Sequence, residues 1–261
     1  MMRPTLLVFS HLRWNFVYQR PQHLLSRLGQ EFDVLVVEEP VRADGPARME
    51  SERPLPGVEV LRPSTPLPSW GFADDQLALI VPLLAAALAE RHVEEPVVWF
   101  YTPMALPLLE GIHARAVVYD CMDELSAFKG APPELRQREA DLLARADMVF
   151  TGGPSLYEAK RDRAARVLCL PSSVDATHFA RAGAQANARA EQDRVSQTVQ
   201  GHIAQPRLGF FGVIDERMDL TLIDRLAAHD PQWQVVMVGP VVKIDPAQLP
   251  RRPNLHWLGQ Q

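Results

Sequence analysis

The sequence predicts an α/β protein of two wound domains, each a parallel sheet covered by helices, with the second domain incomplete. Short apolar runs alternate with helix-like stretches from Leu6 onward. These runs lack the strict alternation of half-exposed strands, which favours strands buried on both faces. Between about residues 180 and 205 the chain turns to Ala, Arg, Gln and Asp, and the strand and helix pattern then restarts. Two sheets separated by a linker follow from this pattern.

The first domain is predicted to span residues 1–180 and to contain seven strands. The apolar runs that predict them are Leu6 to Phe9, Val34 to Val37, Val58 to Leu61, Val97 to Tyr101, Val117 to Tyr119, Met148 to Thr151 and Val167 to Leu170. Helices are expected from Pro21, over Gln76 to Arg91, over Met104 to Gly111 and over Pro133 to Ala146. Pro21 suits a helix start because the first turn needs no N–H from that residue.

A linker at residues 181–205 leads to a partial second domain at residues 206–261. Strands are expected at Leu208 to Phe211, Gln234 to Val238 and Leu255 to Leu258, with a helix over Leu220 to His229. A domain of about 55 residues buries little surface. We therefore expect that the natural chain continues, or that this piece docks on the first domain or on a second copy.

Composition limits the partners and the compartment. The formal net charge of −5 and the pI near 5.9 leave no basic excess for nucleic acid. The longest apolar run, Leu77 to Leu88, contains Pro82 and is shorter than the roughly 18 residues of a spanning helix. Any membrane contact would then be peripheral. Cys121 and Cys169 lack metal-type spacing, so we expect free thiols in a reducing, cytoplasmic location.

A polar and aromatic loop follows the first strand, where open α/β sheets collect ligands. It has no glycine fingerprint for a dinucleotide, which disfavours NAD or FAD. Its side chains offer rings for stacking on a sugar and donors for its hydroxyls. The candidate acceptor-binding residues are His11, Arg13, Trp14, Asn15, Tyr18, Gln19 and Arg20. A well-packed loop with surface arginines is the alternative interpretation.

Two further clusters also follow strands. Asp120 and Asp123 could orient sugar hydroxyls, hold a divalent ion or act as a general base, and Asp123 could instead cap a short helix. Gly212 allows a turn before the helix near Asp219, and Arg217 adds a cation. Together with Gly239 and Lys243, which follow the next strand, Gly212 and Arg217 form a candidate binding site for the donor diphosphate. No motif for a resident metal or for a P-loop occurs.

These segments together resemble glycosyltransferases of the GT-B fold, specifically family 4-like members (glycosyl transferases group 1). The resemblance covers nearly the whole chain and rests on Phe9 to Trp14 with Gln19 to Leu25, on Tyr119 to Asp123, on Leu170 to Phe179 and on Gly209 to Gly212. The Gly212 turn looks like the family's G-R-L-x-x-x-K-G, with Val213 in place of the Arg and Arg217 standing for the Lys. The family's later pair of glutamates, which bind the donor sugar and ribose, would lie beyond Gln261.

The resemblance implies two Rossmann-like domains, the first for the acceptor and the second for a nucleoside-diphosphate sugar. It implies a hexosyltransferase-like enzyme that transfers the sugar to a polysaccharide or lipid-linked acceptor, retains anomeric configuration and needs no metal or cofactor. Asp120 and Asp123 would orient the substrate, and this 261-residue form could be inactive. The alternative is a non-catalytic binding or assembly protein, whose incomplete second domain leaves self-association open.

Overall fold

The computed structural model describes residues 3–185 and 199–261, and the chain divides into two compact units, Met1–Ser173 and Val174–Gln261. The predicted linker at 181–205 falls mostly on residues 186–198, outside the described residues. The predicted boundary at residue 180 lies inside a helix of the second unit, Ala176–Gln185.

In its described residues the first unit is built on one nine-stranded sheet. Its strands are β1 (Thr5–Ser10), β2 (Asp33–Glu38), β3 (Val41–Arg42), β4 (Arg48–Leu55), β5 (Val58–Thr65), β6 (Val97–Phe100), β7 (Ala116–Cys121), β8 (Met148–Thr151) and β9 (Val167–Cys169). The order is β3-β5-β2-β1-β6-β7-β8-β9, and β4 adds to β5 as an antiparallel strand beside otherwise parallel pairs. This order confirms the predicted wound α/β fold.

Four helices of the first unit cover the two faces of this sheet. They are α1 (Arg20–Leu28), α2 (Asp74–Glu90), α3 (Leu135–Arg145) and α4 (Pro154–Lys160). Leu25 of α1 packs in the core on one face, and Leu77 of α2 and Leu142 of α3 pack in the core on the other. Strands buried between such layers explain the continuous apolar runs of the sequence.

Two sequence-based predictions in this unit were wrong in detail: the count of seven strands, which missed the two-residue β3 and also β4, and one of the helices. Strand β4 carries mostly exposed, charged side chains, so it lacks the apolar pattern on which strand prediction depends. The helix expected over Met104 to Gly111 is a 3₁₀ helix at Pro103–Leu109. Pro107 lies inside it, and its missing N–H and its ring disfavour a regular α-helix over so short a segment.

The second unit contains α5 (Ala176–Gln185), β10 (Arg207–Phe211), α6 (Leu220–His229), β11 (Gln234–Val238) and β12 (Leu255–Gly259). The three strands are parallel in the order β10-β11-β12. The buried amide of Asn254 donates to the carbonyls of Ala227 at 2.9 Å and Trp233 at 2.7 Å. These bonds fix the end of α6 to the start of β12.

Candidate functional site

Four polar side chains form a row where neighbouring strands of the first sheet end. Ser10 is in register with Glu38, and Tyr101, whose N–H donates to Phe9, follows Phe100, which is in register with Tyr119. Residues in register on parallel strands share a face of the sheet. Glu38, Ser10, Tyr101 and Asp120 therefore line one face at the carboxyl edge, where open α/β sheets bind ligands, and all four are buried.

The first of these carboxylates, Glu38, holds the start of the loop between β1 and α1. Its carboxylate is fully buried and accepts hydrogen bonds from the Arg62 Nε at 2.7 Å, the Trp14 N–H at 2.6 Å and Arg13 at 3.3 Å. Arg13 also donates to the carbonyls of Glu39 and, at 3.0 Å, Pro40. Arg13 and the backbone of Trp14 are thus tied to the end of β2.

The second carboxylate, Asp120, holds the other end of the same loop. Arg20 Nε donates to both Asp120 oxygens at 3.1 and 3.0 Å, and Arg20 Nη1 donates to the Leu170 carbonyl at 2.7 Å. Burial raises the pKa of Asp120, and the hydrogen bonds and charge of Arg20 oppose that rise. The pKa of the neighbouring Tyr101 is also raised well above its usual value, first by burial and then by the charge of Asp120.

Gln22 organises the middle of the loop, and sequence reasoning did not single it out. Its side chain is buried, and Nε2 lies within hydrogen-bond distance of the carbonyls of Trp14 at 3.0 Å and Val17 at 2.9 Å. Its Oε1 accepts the N–H of Gln19 at 3.0 Å. An amide three residues after the cap residue Gln19 was the signal that could have identified it, since side chains at that position reach back to the cap.

The remaining predicted acceptor-binding residues differ in how far their side chains are exposed to solvent. His11 and Gln19 are partly buried, and the Trp14 ring packs against the core beneath α1. Asn15 donates to the exposed Glu52 carboxylate at 3.3 and 3.2 Å. Tyr18 is 58% exposed as a residue, and its ring meets that of His23 edge-on with 4.5 Å between the ring centroids. Of the two rings predicted to stack on a sugar, Tyr18 is therefore the more accessible.

The loop after β7, which carries Asp123, is anchored through Glu124. Lys160 is buried and contacts the carboxylates of Glu124 at 2.8 Å and Glu139 at 2.7 Å. Burial lowers the pKa of Lys160, but its hydrogen bonds to these carboxylates outweigh burial and raise it. Asp123 is partly buried, and the short 3₁₀ helix that follows begins after Glu124. The loop is consequently held against α3 and α4.

In the second unit, two glycine turns face each other at the carboxyl edge of the small sheet. Gly212 and Gly239 have φ values of 149° and 145°, and a Cβ on Gly239 would lie 1.8 Å from the Gly212 carbonyl oxygen. Only glycine fits such an approach. The turns continue side by side, because the Ile214 N–H donates to Pro240 at 3.0 Å.

The two predicted diphosphate cations lie on these turns, and each is close to an acid. Arg217 donates to Asp215 at 2.7 and 3.0 Å, which lowers the pKa of Asp215, and the Arg217 side chain is still 60% exposed. Lys243 Nζ is 3.9 Å from Glu216 Oε1, with half of the lysine side chain exposed. The structure thus brings Gly212, Arg217, Gly239 and Lys243 together within the second unit.

The described parts of the chain, residues 3–185 and 199–261, contain no group of three or more His, Cys, Asp or Glu side chains placed to hold a metal ion. Among the same residues, no helix combines the length and hydropathy that crossing a bilayer requires.

Comparison with known proteins adds a second line of evidence. No family model matches the chain. It is 27% identical over 188 residues to TuaH of Bacillus subtilis (strain 168), which is named as a teichuronic acid biosynthesis glycosyltransferase. The match covers 66% of this chain and 45% of TuaH.

Solved structures match over nearly the whole chain. A sucrose-phosphate synthase from Thermosynechococcus elongatus matches with a TM-score of 0.65 and 16% identity, over 94% of this chain and 64% of that one. The E. coli trehalose-6-phosphate synthase bound with UDP-2-fluoro glucose matches with a TM-score of 0.61 and 12% identity, over 98% of this chain and 74% of that one. Anabaena HepE in complex with UDP and glucose matches with a TM-score of 0.58 and 16% identity, over 99% of this chain and 70% of that one.

These comparisons and the two wound sheets show that the chain has the GT-B fold, and its sequence is similar to that of a glycosyltransferase. The chain spans less than half of TuaH and about two thirds of the sucrose-phosphate synthase chain.

Proposed function

We propose that this chain is a glycosyltransferase, hexosyltransferase-like, that moves a sugar from a nucleoside-diphosphate sugar to a polysaccharide or lipid-linked acceptor in the cytoplasm. The observation that carries the proposal is the pair of facing turns at Gly212 and Gly239. They leave backbone without side chains at the carboxyl edge of the second sheet, which is where open α/β folds bind ligands.

The donor diphosphate is assigned to the second unit. Arg217 and Lys243 would face its negative charge, and the first turn of α6 adds the positive end of a helix dipole. Charge that develops on the diphosphate as it departs would be stabilised by the same groups. Asp215 and Glu216 balance the two cations, so the turn has little net charge before the donor binds.

The acceptor is assigned to the loop between β1 and α1 in the first unit. Arg13 and Arg20 bind their carboxylates Glu38 and Asp120 and so fix the loop. The exposed side chains of Tyr18 and of Asn15, whose amide is bonded to Glu52, would contact the saccharide. Asp120 would act by positioning Arg20, and Asp123 by orienting the acceptor. The name of TuaH, which refers to the biosynthesis of teichuronic acid, supports a polysaccharide product.

Calorimetric titration tests the donor assignment. UDP-glucose, GDP-mannose and UDP are titrated into the wild-type protein and into Arg217→Ala, with Arg225→Ala as a control that removes the same charge from the exposed face of α6. We expect binding of one donor that Arg217→Ala weakens about tenfold or more, as for a charge-assisted contact, and that Arg225→Ala leaves unchanged. Equal affinities for the two variants, or no binding by the wild type, would contradict the assignment.

We further propose that the transfer retains anomeric configuration and requires no metal or cofactor. Proton NMR of the first product formed reports the configuration, and activity in the presence of EDTA reports the metal requirement. An inverted product or loss of activity in EDTA would each overturn the corresponding part.

A second candidate function is a non-catalytic assembly protein, and one observation favours it. Within the described residues β10 pairs only with β11, and its side chains Leu208, Phe210 and Phe211 are 37%, 37% and 79% exposed. An apolar strand with an open edge invites pairing with another chain. Light scattering over a range of concentrations tests it, since a strict monomer would contradict self-association.

A further inference from the structure

An exposed tryptophan lies at the carboxyl edge of the first sheet, outside the β1–α1 loop. The connection from β5 to α2, residues 66–73, presents Trp70 with 93% of the residue exposed. Among the described residues it is the most exposed large hydrophobic side chain. Exposure on this scale places most of an indole ring in water, where it does nothing for the stability of the fold.

The loop that carries Trp70 is fixed on both sides of the ring. The Ser69 carbonyl accepts from Gln76 Nε2 at 2.8 Å, and the Ser69 hydroxyl donates to Asp75 at 2.7 Å. On the other side Phe72 is buried, and its carbonyl accepts from Arg138 at 3.1 Å. The exposed ring therefore belongs to a preorganised segment, which reduces the entropic cost of binding.

A carboxyl group lies against the next residue. Gly71 has φ of 63°, and a Cβ there would be 3.0 Å from Glu39 Oε1. Glu39 is the first residue after β2, and its carbonyl accepts a hydrogen bond from Arg13 of the β1–α1 loop. Burial raises the pKa of the Glu39 carboxyl from 4.5 to about 7, and the charge of Arg13 opposes the rise. Glu39 thus approaches the residue next to Trp70 through its carboxyl group and is bonded to the candidate acceptor loop through its carbonyl.

The charge of the surrounding segment selects the kind of ligand. From residue 63 to residue 90 the chain has no Lys, Arg or His, whereas Asp74 and Asp75 follow Trp70 closely. An anionic membrane surface is attracted by clusters of basic residues, and this segment contains none; Arg138, which bonds to it, is already paired with Asp74. An uncharged sugar ring has an apolar face that stacks on indole and hydroxyls that donate to a carboxylate.

We propose that Trp70 and Glu39 form a saccharide subsite of the first unit, with the indole stacked on a pyranose face and the Glu39 carboxyl bonded to its hydroxyls. The subsite rests on the proposed function and extends it, because it gives the acceptor a second contact besides the β1–α1 loop, and a chain of several sugar residues offers more rings to bind both. The enzyme would then act on an oligosaccharide or a growing chain in preference to a single sugar.

Calorimetry and saturation-transfer NMR with maltohexaose, cellohexaose and chitohexaose test the subsite on the whole chain. The variants are Trp70→Ala and Glu39→Gln, with Val81→Ala as a control that truncates another exposed apolar side chain on α2. We expect at least one hexasaccharide to bind the wild type and Val81→Ala equally, and Trp70→Ala to bind it about tenfold more weakly. Glu39→Gln should also weaken binding. Because Trp70 is exposed, the thermal unfolding temperature of Trp70→Ala should equal that of the wild type.

Three results would overturn the subsite: no hexasaccharide binding by the wild type, equal binding by wild type and Trp70→Ala, or binding to phosphatidylglycerol vesicles that Trp70→Ala abolishes. The last would identify the ring as a membrane contact. Titration of the same samples with UDP-glucose and GDP-mannose separates this failure from failure of the proposed function. Donor binding without hexasaccharide binding removes only the subsite, whereas hexasaccharide binding without donor binding removes the transferase and leaves a saccharide-binding domain.

Discussion

Arg20 and Asp120, one hundred positions apart in the sequence, form a bidentate ion pair at the carboxyl edge of the first sheet. The Asp120 side chain is fully buried and that of Arg20 is 9% exposed. The same guanidinium donates to the carbonyl of Leu170, close to the end of the first unit. One side chain therefore fixes the start of α1, the end of β7 and the segment after β9 relative to one another.

Removing only one partner of this ion pair should lower the stability of the folded protein. Arg20→Met leaves a buried carboxylate without its cation, and we expect a loss of about 3–5 kcal/mol in the free energy of unfolding. The double variant Arg20→Met/Asp120→Leu removes both charges and should lose less than Arg20→Met alone. Urea unfolding followed by circular dichroism measures both values. A double variant that loses as much stability as Arg20→Met, or more, would contradict this expectation.

The raised pKa of Glu39 predicts a specific dependence of stability on pH. The folded protein holds this proton more tightly than the unfolded chain, whose pKa is 4.5. The contribution is therefore fully present below pH 4.5 and is lost as the pH rises to about 7. It amounts to up to about 3 kcal/mol, since one pKa unit corresponds to about 1.4 kcal/mol.

Chemical denaturation of the wild type and Glu39→Gln at a series of pH values measures this contribution. The difference between their free energies of unfolding should change between about pH 4.5 and 7, with the wild type losing stability relative to the variant, and should be constant above. A difference that does not vary with pH would contradict the prediction.

Facing turns in the second unit make Gly239 intolerant of any side chain. Gly239→Ala would place Cβ 1.8 Å from the Gly212 carbonyl oxygen at a φ that only glycine adopts readily. We expect a loss of about 3 kcal/mol or more, because the backbone must move and strain remains. Gly209→Ala is the control, since a Cβ there meets no atom within 4 Å. Hydrogen exchange of β11 should accelerate in the first variant and not in the second.

The fold could be predicted from the sequence, whereas most side-chain partners in the candidate site could not. Buried parallel strands leave continuous apolar runs, so β1, β2 and β6 to β8 were located from the chain alone. Strand β4 was missed because its exposed charges resemble those of a surface loop.

Long-range pairing accounts for what was missed in the site. Arg13 and Arg20 were recognised as important, but their partners Glu38 and Asp120 come from other strands, and only the sheet order brings them together. Burial of the Trp14 ring depends in the same way on core residues distant in sequence. Local pattern reports which side chains can do chemistry, whereas their partners depend on topology.

Gln22 offers the sharpest test of how the acceptor loop is held, because Gln22→Glu preserves its shape and removes its donors. The carboxylate would face the carbonyls of Trp14 and Val17, to which the amide now donates, and would no longer match them. A buried carbonyl that loses its donor costs about 1–3 kcal/mol. We expect peptides covering residues 11–19 to exchange amide hydrogens faster and hexasaccharide affinity to fall. Gln30→Glu, at an exposed position in the turn between α1 and β2, is the control and should change neither. If the loop exchanges at the wild-type rate in Gln22→Glu, then Arg13 and Arg20 alone are enough to hold it.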